Sequence, residues 1–186
     1  MSLMWGQGNL PNERVQAWLN DVVKAGYDGV ACFEGELLRF IRDLPFAALL
    51  EQSRLELASV DFIIDRDVDR LRRVCEAMLS PGCENMVLLA GLARRHADFT
   101  EIADLLNQIG EIARSYGLYA GFHNHTDHTG ETLEETERLV AMTDPEKVCG
   151  FLDIPHATKD FVGYWTASRA ALFLERNWEW IRFPEF

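Results

Sequence analysis

Basic residues are in deficit in this 186-residue chain: 18 Lys and Arg stand against 30 Asp and Glu, a formal charge of −12. Nucleic-acid backbones are bound by clustered Lys and Arg, so this balance argues against a nucleic-acid partner. It argues equally against docking on an anionic membrane surface. Long hydrophobic runs are also lacking; none approaches the roughly 20 residues that a membrane-spanning helix needs. The N-terminus has no charged-then-apolar signal layout. Cysteine is sparse, with Cys32, Cys75, Cys83 and Cys149 scattered and no C-x-x-C pair. Each sits among apolar residues, which predicts reduced, buried thiols and a cytoplasmic setting. Low-complexity segments and long linkers are absent, so residues 1–186 are expected to form a single domain.

What is present is a rhythm. Val15, Trp18, Leu19, Val22 and Val23 repeat at i, i+3, i+4, i+7 and i+8, the pattern of an amphipathic helix over Asn12–Ala25. Gly26 follows where a helix-terminating glycine belongs. The wholly apolar run Gly29–Phe33 then predicts a strand buried on both faces. Further helices are expected over about Gly35–Glu51, around Val68–Met78, around Ile102–Ile112, from Thr132 to Asp144, and over about Thr166–Arg176. Between them lie apolar runs at Leu55–Val60, Asn85–Ala90, Leu118–Phe122, Val148–Leu152 and Trp178–Phe183. With Ser2–Trp5 as the first, this makes seven predicted strands at intervals of roughly 30 residues, each joined to the next through a helix. Strands so joined are parallel. An open doubly wound sheet and a (β/α) TIM-barrel-like sheet both satisfy the pattern, and the even spacing favours the barrel.

Four of the five histidines fall between His123 and His156, interleaved with carboxylates: Gly121-Phe-His-Asn-His-Thr-Asp-His-Thr-Gly-Glu131, then Phe151-Leu-Asp-Ile-Pro-His156. Imidazole and carboxylate bind borderline divalent metals and move protons near neutral pH. His123, His125, His128, Glu131, Asp153 and His156 all lie at or just beyond the C-terminal ends of predicted strands, where barrel active sites are built. Glu34, Asp61 and Glu185 fall at the same face. His96, in a polar approach to a helix, reads as solvated surface. Trp5, Trp165, Trp178 and Trp180 offer rings for stacking on a sugar, with core or rim packing as the default.

His123-Asn-His-Thr-Asp-His128 matches the H-x-H-x-D-H pattern of metallo-β-lactamase-type zinc hydrolases. Those enzymes need further histidines downstream and a β-rich sandwich, whereas only His156 follows here. A broader set of motifs points elsewhere: Gly26-Tyr-Asp-Gly-Val30, Gly117, His123-Asn-His125, Gly130-Glu-Thr132, Thr143-Asp-Pro145 and Leu152-Asp-x-x-His156. Together they resemble the xylose-isomerase-like TIM barrels, which include sugar phosphate isomerases and epimerases, inosose dehydratases and endonuclease IV-type enzymes. The resemblance is strongest to the inosose dehydratase-like branch.

The resemblance implies a divalent-metal-dependent isomerase or epimerase that acts on a sugar or polyol through an enediolate, with Mn, Mg, Co or Zn as the ion. Dehydration of an inosose-type keto-polyol is the neighbouring alternative, and a catalytically degenerate barrel serving as a binding module is another. Asp153, His123, Glu131 and Glu185 are the candidate metal ligands. His156, His125 and Glu131 are candidates for catalysis, and His123, Trp5 and Glu34 for binding substrate. Glu34 stands in for a strand-two glutamate that Ala31-Cys32 does not provide. Glu185 stands in for the histidine of an H-x-K-D motif, which here reads Arg182-Phe-Pro-Glu185. The chain stops at Phe186, before an eighth strand, so a barrel with an incomplete C-terminal end is expected. Its aromatic edge (Trp178, Trp180, Phe183, Phe186) predicts a homo-oligomer.

Overall fold

The computed structural model describes residues 10–89, 98–161 and 167–185. A single turn of 3-10 helix at Asn12–Arg14 leads into α1 (Val15–Lys24), which buries Val15, Trp18, Leu19 and Val22 as the periodicity predicts. Then follow β1 (Gly29–Phe33), α2 (Glu34–Asp43), α3 (Phe46–Ser53), β2 (Glu56–Ile63), α4 (Val68–Leu79) and β3 (Asn85–Leu89). The second half runs α5 (Phe99–Ser115), β4 (Tyr119–His123), α6 (Leu133–Met142), β5 (Val148–Asp153), α7 (Ile154–Asp160), α8 (Ala167–Asn177) and β6 (Ile181–Glu185).

The six strands form one sheet in the order β1-β2-β3-β4-β5-β6, with β1/β2, β4/β5 and β5/β6 paired in parallel. The order never reverses, whereas a doubly wound sheet has a switch point where it does. This is the winding of a (β/α) barrel. Seven strands were expected and six are present among the described residues; the expected first strand, Ser2–Trp5, lies outside them.

Three local expectations are corrected. The helix predicted over Gly35–Glu51 is two helices, because Leu44, ahead of Pro45, takes an extended conformation (φ −136°, ψ 153°). β2 continues to Ile63, three residues beyond the predicted end, and Phe62 in that extension is fully buried. Helix α7 was not foreseen.

Contacts within the chain group into two compact units. The first includes α1 to α4, with β1 and most of β2. Its interior is made by Trp18, Phe40 and Phe46, whose rings approach at 6.4 and 4.9 Å, with Leu19, Leu37, Val74 and Met78 also buried. The second includes α5 to α8 and β4 to β6. There Ile102, Leu106, Ile109 and Ala113 of α5 are buried, as are Phe161, Phe173 and Trp180, whose rings meet edge to face. Gly150 in β5 is required by its neighbour: a Cβ there would lie 2.5 Å from Trp180 Cε3. The β5/β6 register shifts at the same point, between Gly150 and Phe151.

Among the described residues, no helix is long and apolar enough to cross a membrane. All four cysteines are free; Cys32, Cys75 and Cys83 are buried and Cys149 is half-buried. Burial pushes the thiol of Cys75 up to about 12 and those of Cys83 and Cys149 to about 11, so these three are not reactive thiolates near neutral pH.

Candidate metal centre

β4 delivers His123 as its last residue, and β5 ends two residues past the partner of His123, at Asp153. Both side chains are buried. The carboxamide of Asn124 continues the pairing where the backbone ladder stops. Its Nδ2 donates to the Asp153 carbonyl at 3.1 Å, and its Oδ1 accepts from the Asp153 N–H at 2.8 Å.

Asp153 has two roles at one position. Its Oδ1 accepts the His156 N–H at 2.6 Å and so caps α7, with Pro155 in the first turn. The other oxygen, Oδ2, lies 3.8 Å from His123 Nε2, too far for a hydrogen bond. His156, one turn into α7, completes a group of three: His123, Asp153 and His156 each present a ligand atom within 4.8 Å of the others.

Two nitrogens and one carboxylate oxygen, largely shielded from water, suit a divalent ion of borderline softness. The protonation state agrees with this. Burial, reinforced by His125, His156 and His128 nearby, pushes His123 down to about 3, so it stays neutral over the ordinary pH range. Neutral imidazole is the form that binds metal.

The loop after His123 gathers the remaining histidines by two successive turns, His128 N–H to the His125 carbonyl at 3.3 Å and Glu131 N–H to the His128 carbonyl at 3.1 Å. The rings of His125 and His156 lie 4.2 Å apart, and those of His125 and His128 5.0 Å apart. Asp127 occupies the left-handed region (φ 65°) and is exposed, serving as the turn residue. The aspartate of the H-x-H-x-D-H match thus sits on the outside of the turn. Gly130 (φ 88°) closes the loop against Phe122, whose ring leaves no room for a Cβ.

Thr132-Leu-Glu-Glu135 has the spacing of a capping box and forms one in modified guise. Thr132 Oγ1 accepts the Glu135 N–H, while Glu135 Oε2 accepts the N–H groups of both Gly130 and Glu131 at 3.2 Å.

The other candidates fall as follows. Glu131 is half-buried in this loop and is not in the three-residue group. The backbone of Glu185 lies opposite Asp153 in the β5/β6 register. Glu34 opens α2 directly after β1, buried and ion-paired with Arg70, whose guanidinium lies 4.6 Å above the Phe62 ring. Trp5, Trp165 and His96 lie outside the described residues.

Three polar residues escaped the sequence reading: Asn124, Thr126 and Asp160. Asp160 was detectable in principle, because it lies four residues after His156 and so on the same face of a helix. That signal needs α7 to be recognised first.

Parallel strands in unreversed order, with a polar cluster at their C-terminal ends, define a β/α-barrel protein with an active-site-like face. Comparison with known proteins makes this specific: residues 19–176 match the family described as xylose isomerase-like TIM barrel, and the chain belongs to that family. A segment of 59 residues is 42% identical to the inosose dehydratase of Lactiplantibacillus plantarum, covering 32% of this chain and 20% of that protein. Among solved structures, the fold is similar to a probable 3-DHS dehydratase, AsbF, involved in petrobactin synthesis in Bacillus anthracis. The TM-score is 0.78 at 14% identity, over 92% of this chain and 67% of the other. It is also similar to the 3-keto-D-glucoside 4-epimerase YcjR of E. coli, with a TM-score of 0.73 at 16% identity, over 96% of this chain and 75% of that one.

Proposed function

We propose that this chain belongs to a divalent-metal-dependent isomerase or epimerase that moves a proton next to the carbonyl of a keto-sugar or keto-polyol. The observation that carries this reading is the grouping of His123, Asp153 and His156 at the ends of β4 and β5. These three hold the ion, with Glu185, opposite Asp153 in register, as the candidate for a further ligand. A bound Mn, Mg, Co or Zn ion would supply Lewis acidity, polarising the substrate carbonyl so that the adjacent C–H is more easily deprotonated.

The chain's own residues do the rest. His125, whose ring centre lies 4.2 Å from that of His156, takes and returns the proton, with Glu131 on the same loop as the alternative base. The ring of Phe151, 6.1 Å from that of His123, supplies an apolar neighbour at the base of the site. Glu34 and Trp5 are the proposed contacts for substrate hydroxyls and a sugar face.

A second reading is favoured by the 42% identity to an inosose dehydratase segment. Dehydration begins with the same proton removal and differs only in losing hydroxide from the next carbon. One experiment addresses both readings. The protein is loaded with Mn and incubated in D2O with a keto-sugar or an inosose, and carbon-bound deuterium is followed by NMR. Exchange with a new isomer supports the first reading, and exchange with loss of water supports the second. Metal-loaded protein that catalyses no exchange on either substrate overturns both.

A further inference from the structure

Thr126 sits among three of the four clustered histidines and touches each through its Nδ1. Its carbonyl oxygen lies 2.8 Å from His125 Nδ1 and 2.8 Å from His128 Nδ1. A carbonyl can only accept, so in both contacts Nδ1 carries the proton and Nε2 keeps its lone pair. The third contact is made by the hydroxyl, with Oγ1 2.9 Å from His156 Nδ1.

A hydroxyl can donate or accept, but it has one proton. Here that proton goes to Asp160, whose Oδ2 is 2.5 Å away and whose side chain is buried. Lys159 Nζ, at 3.1 Å, is a donor and can only give. The Thr126 oxygen must therefore accept from His156, which puts the proton on Nδ1 there too. Asp160 Oδ2 lies 3.6 Å from the same nitrogen and reinforces the choice.

We infer that Thr126, backed by Asp160, is the positioning residue that fixes His125, His128 and His156 in the Nδ1–H tautomer, so that all three present an Nε2 lone pair. Isolated histidine in water prefers the opposite tautomer, so the arrangement is imposed by the fold. Metal-binding histidines commonly donate their second ring N–H to a carboxylate or carbonyl, which orients the ring and raises its basicity. In this chain the Asp160 carboxylate acts on His156 through an intervening threonine hydroxyl. What the Nε2 atoms then do rests on the proposed function; the tautomers themselves do not.

The test therefore begins with metal-free protein. Long-range 1H–15N spectra of histidine-labelled protein, taken at a pH where the rings are neutral, report which nitrogen is protonated. The wild type is expected to show Nδ1–H at His125, His128 and His156. Thr126→Val removes the hydroxyl and keeps the carbonyl, so His156 alone should shift toward Nε2–H. Unchanged His125 and His128 signals show in the same sample that the loop is still folded. Thr126→Ser should restore the wild-type pattern. Asp160→Ala, which frees the hydroxyl proton to point at His156, should reproduce the valine result.

In a separate titration, Thr126→Val should weaken Mn or Co binding about 10- to 100-fold, with Thr126→Ser close to wild type. An Nε2–H signal at His156 in the wild type, or no change in Thr126→Val, overturns the inference. If the tautomers are as stated but the wild type binds no metal, the metal-dependent function fails and the positioning role stands.

Discussion

Asn124 and Asp153 are joined by two hydrogen bonds that imitate one more rung of the β4/β5 ladder, with a side-chain amide in place of a peptide. The carboxylate that faces His123 is thus held from behind at its own backbone. Both residues are buried, so neither Asp153 backbone group can turn to water instead. Asn124→Ala leaves a donor and an acceptor unpaired, at about 1–3 kcal/mol each. Urea unfolding should show the variant about 2–6 kcal/mol less stable than wild type. An unchanged midpoint and slope would show that the amide link carries no load.

Asp153 can be tested as a ligand without removing it as a cap. Asparagine caps helices about as well as aspartate, so Asp153→Asn should keep α7 and change metal-free stability by less than about 1 kcal/mol. It removes the anionic oxygen near His123, and affinity for Mn or Zn should fall about 100-fold or more, since ligand charge dominates such sites. The wild type at a metal concentration 100 times its dissociation constant should gain about 2.7 kcal/mol, and the variant little at that concentration. Equal thermal upshifts of the two proteins with added metal would remove Asp153 from the ligand set.

Much of this site could be read from sequence, and the reasons for the rest are physical. The apolar runs at Asn85, Leu118 and Val148 are strands because they are short, apolar without alternation and bounded by glycine or polar turns, and each fell close to its expected place. Their C-terminal ends then located His123 and Asp153. Periodicity failed where proline intervened. Leu37 and Phe40, then Phe46 and Leu50, each fall at a helical spacing on their own side of Pro45, so one helix was expected where the residue before proline extends and breaks it. Pro155 had the opposite effect: it reads as a breaker, yet in the first turn behind the Asp153 cap it helps start α7. Seven residues are too few for an apolar face to show. Thr126 and Asn124 were missed because their importance lies in pairings across 29 or more residues, such as Thr126 with Asp160, which no local spacing records.

Two buried titratable groups pull the pH dependence of stability in opposite directions. Burial, with the Glu36 carboxylate nearby, pushes Asp61 up to about 7. Its unfolded value is near 3.9, so the folded state holds an extra proton between the two; the stability this gives is complete below pH 4 and lost as pH rises to 7. His123 is pushed down to about 3 against an unfolded value near 6.5. The folded state lacks a proton there, so its stability is complete above pH 6.5 and lost on acidification. Between pH 4 and 6.5 the two slopes, each up to about 1.4 kcal/mol per pH unit, oppose each other. Unfolding curves of Asp61→Asn should lose stability as pH falls through this window, and those of His123→Gln should gain it. Parallel pH profiles for the two variants would contradict both assignments.

The ion pair between Glu34 and Arg70 makes the last prediction, because its two halves should not behave alike. One oxygen of Glu34 binds Arg70, whereas Oε2 is buried and accepts no hydrogen bond among the described residues. The pair has lost most of its hydration, and each charge depends on the other to offset that loss. Arg70→Met leaves a buried carboxylate uncompensated and should cost about 3–5 kcal/mol. It also removes the guanidinium over Phe62, a smaller loss of about 1 kcal/mol. Adding Glu34→Gln to that background removes the stranded charge, so the double variant should regain most of the deficit. A double-mutant cycle by urea unfolding measures this directly. A coupling energy near zero would mean that Glu34 is already protonated or solvated, and that the pair does not anchor α2 to α4.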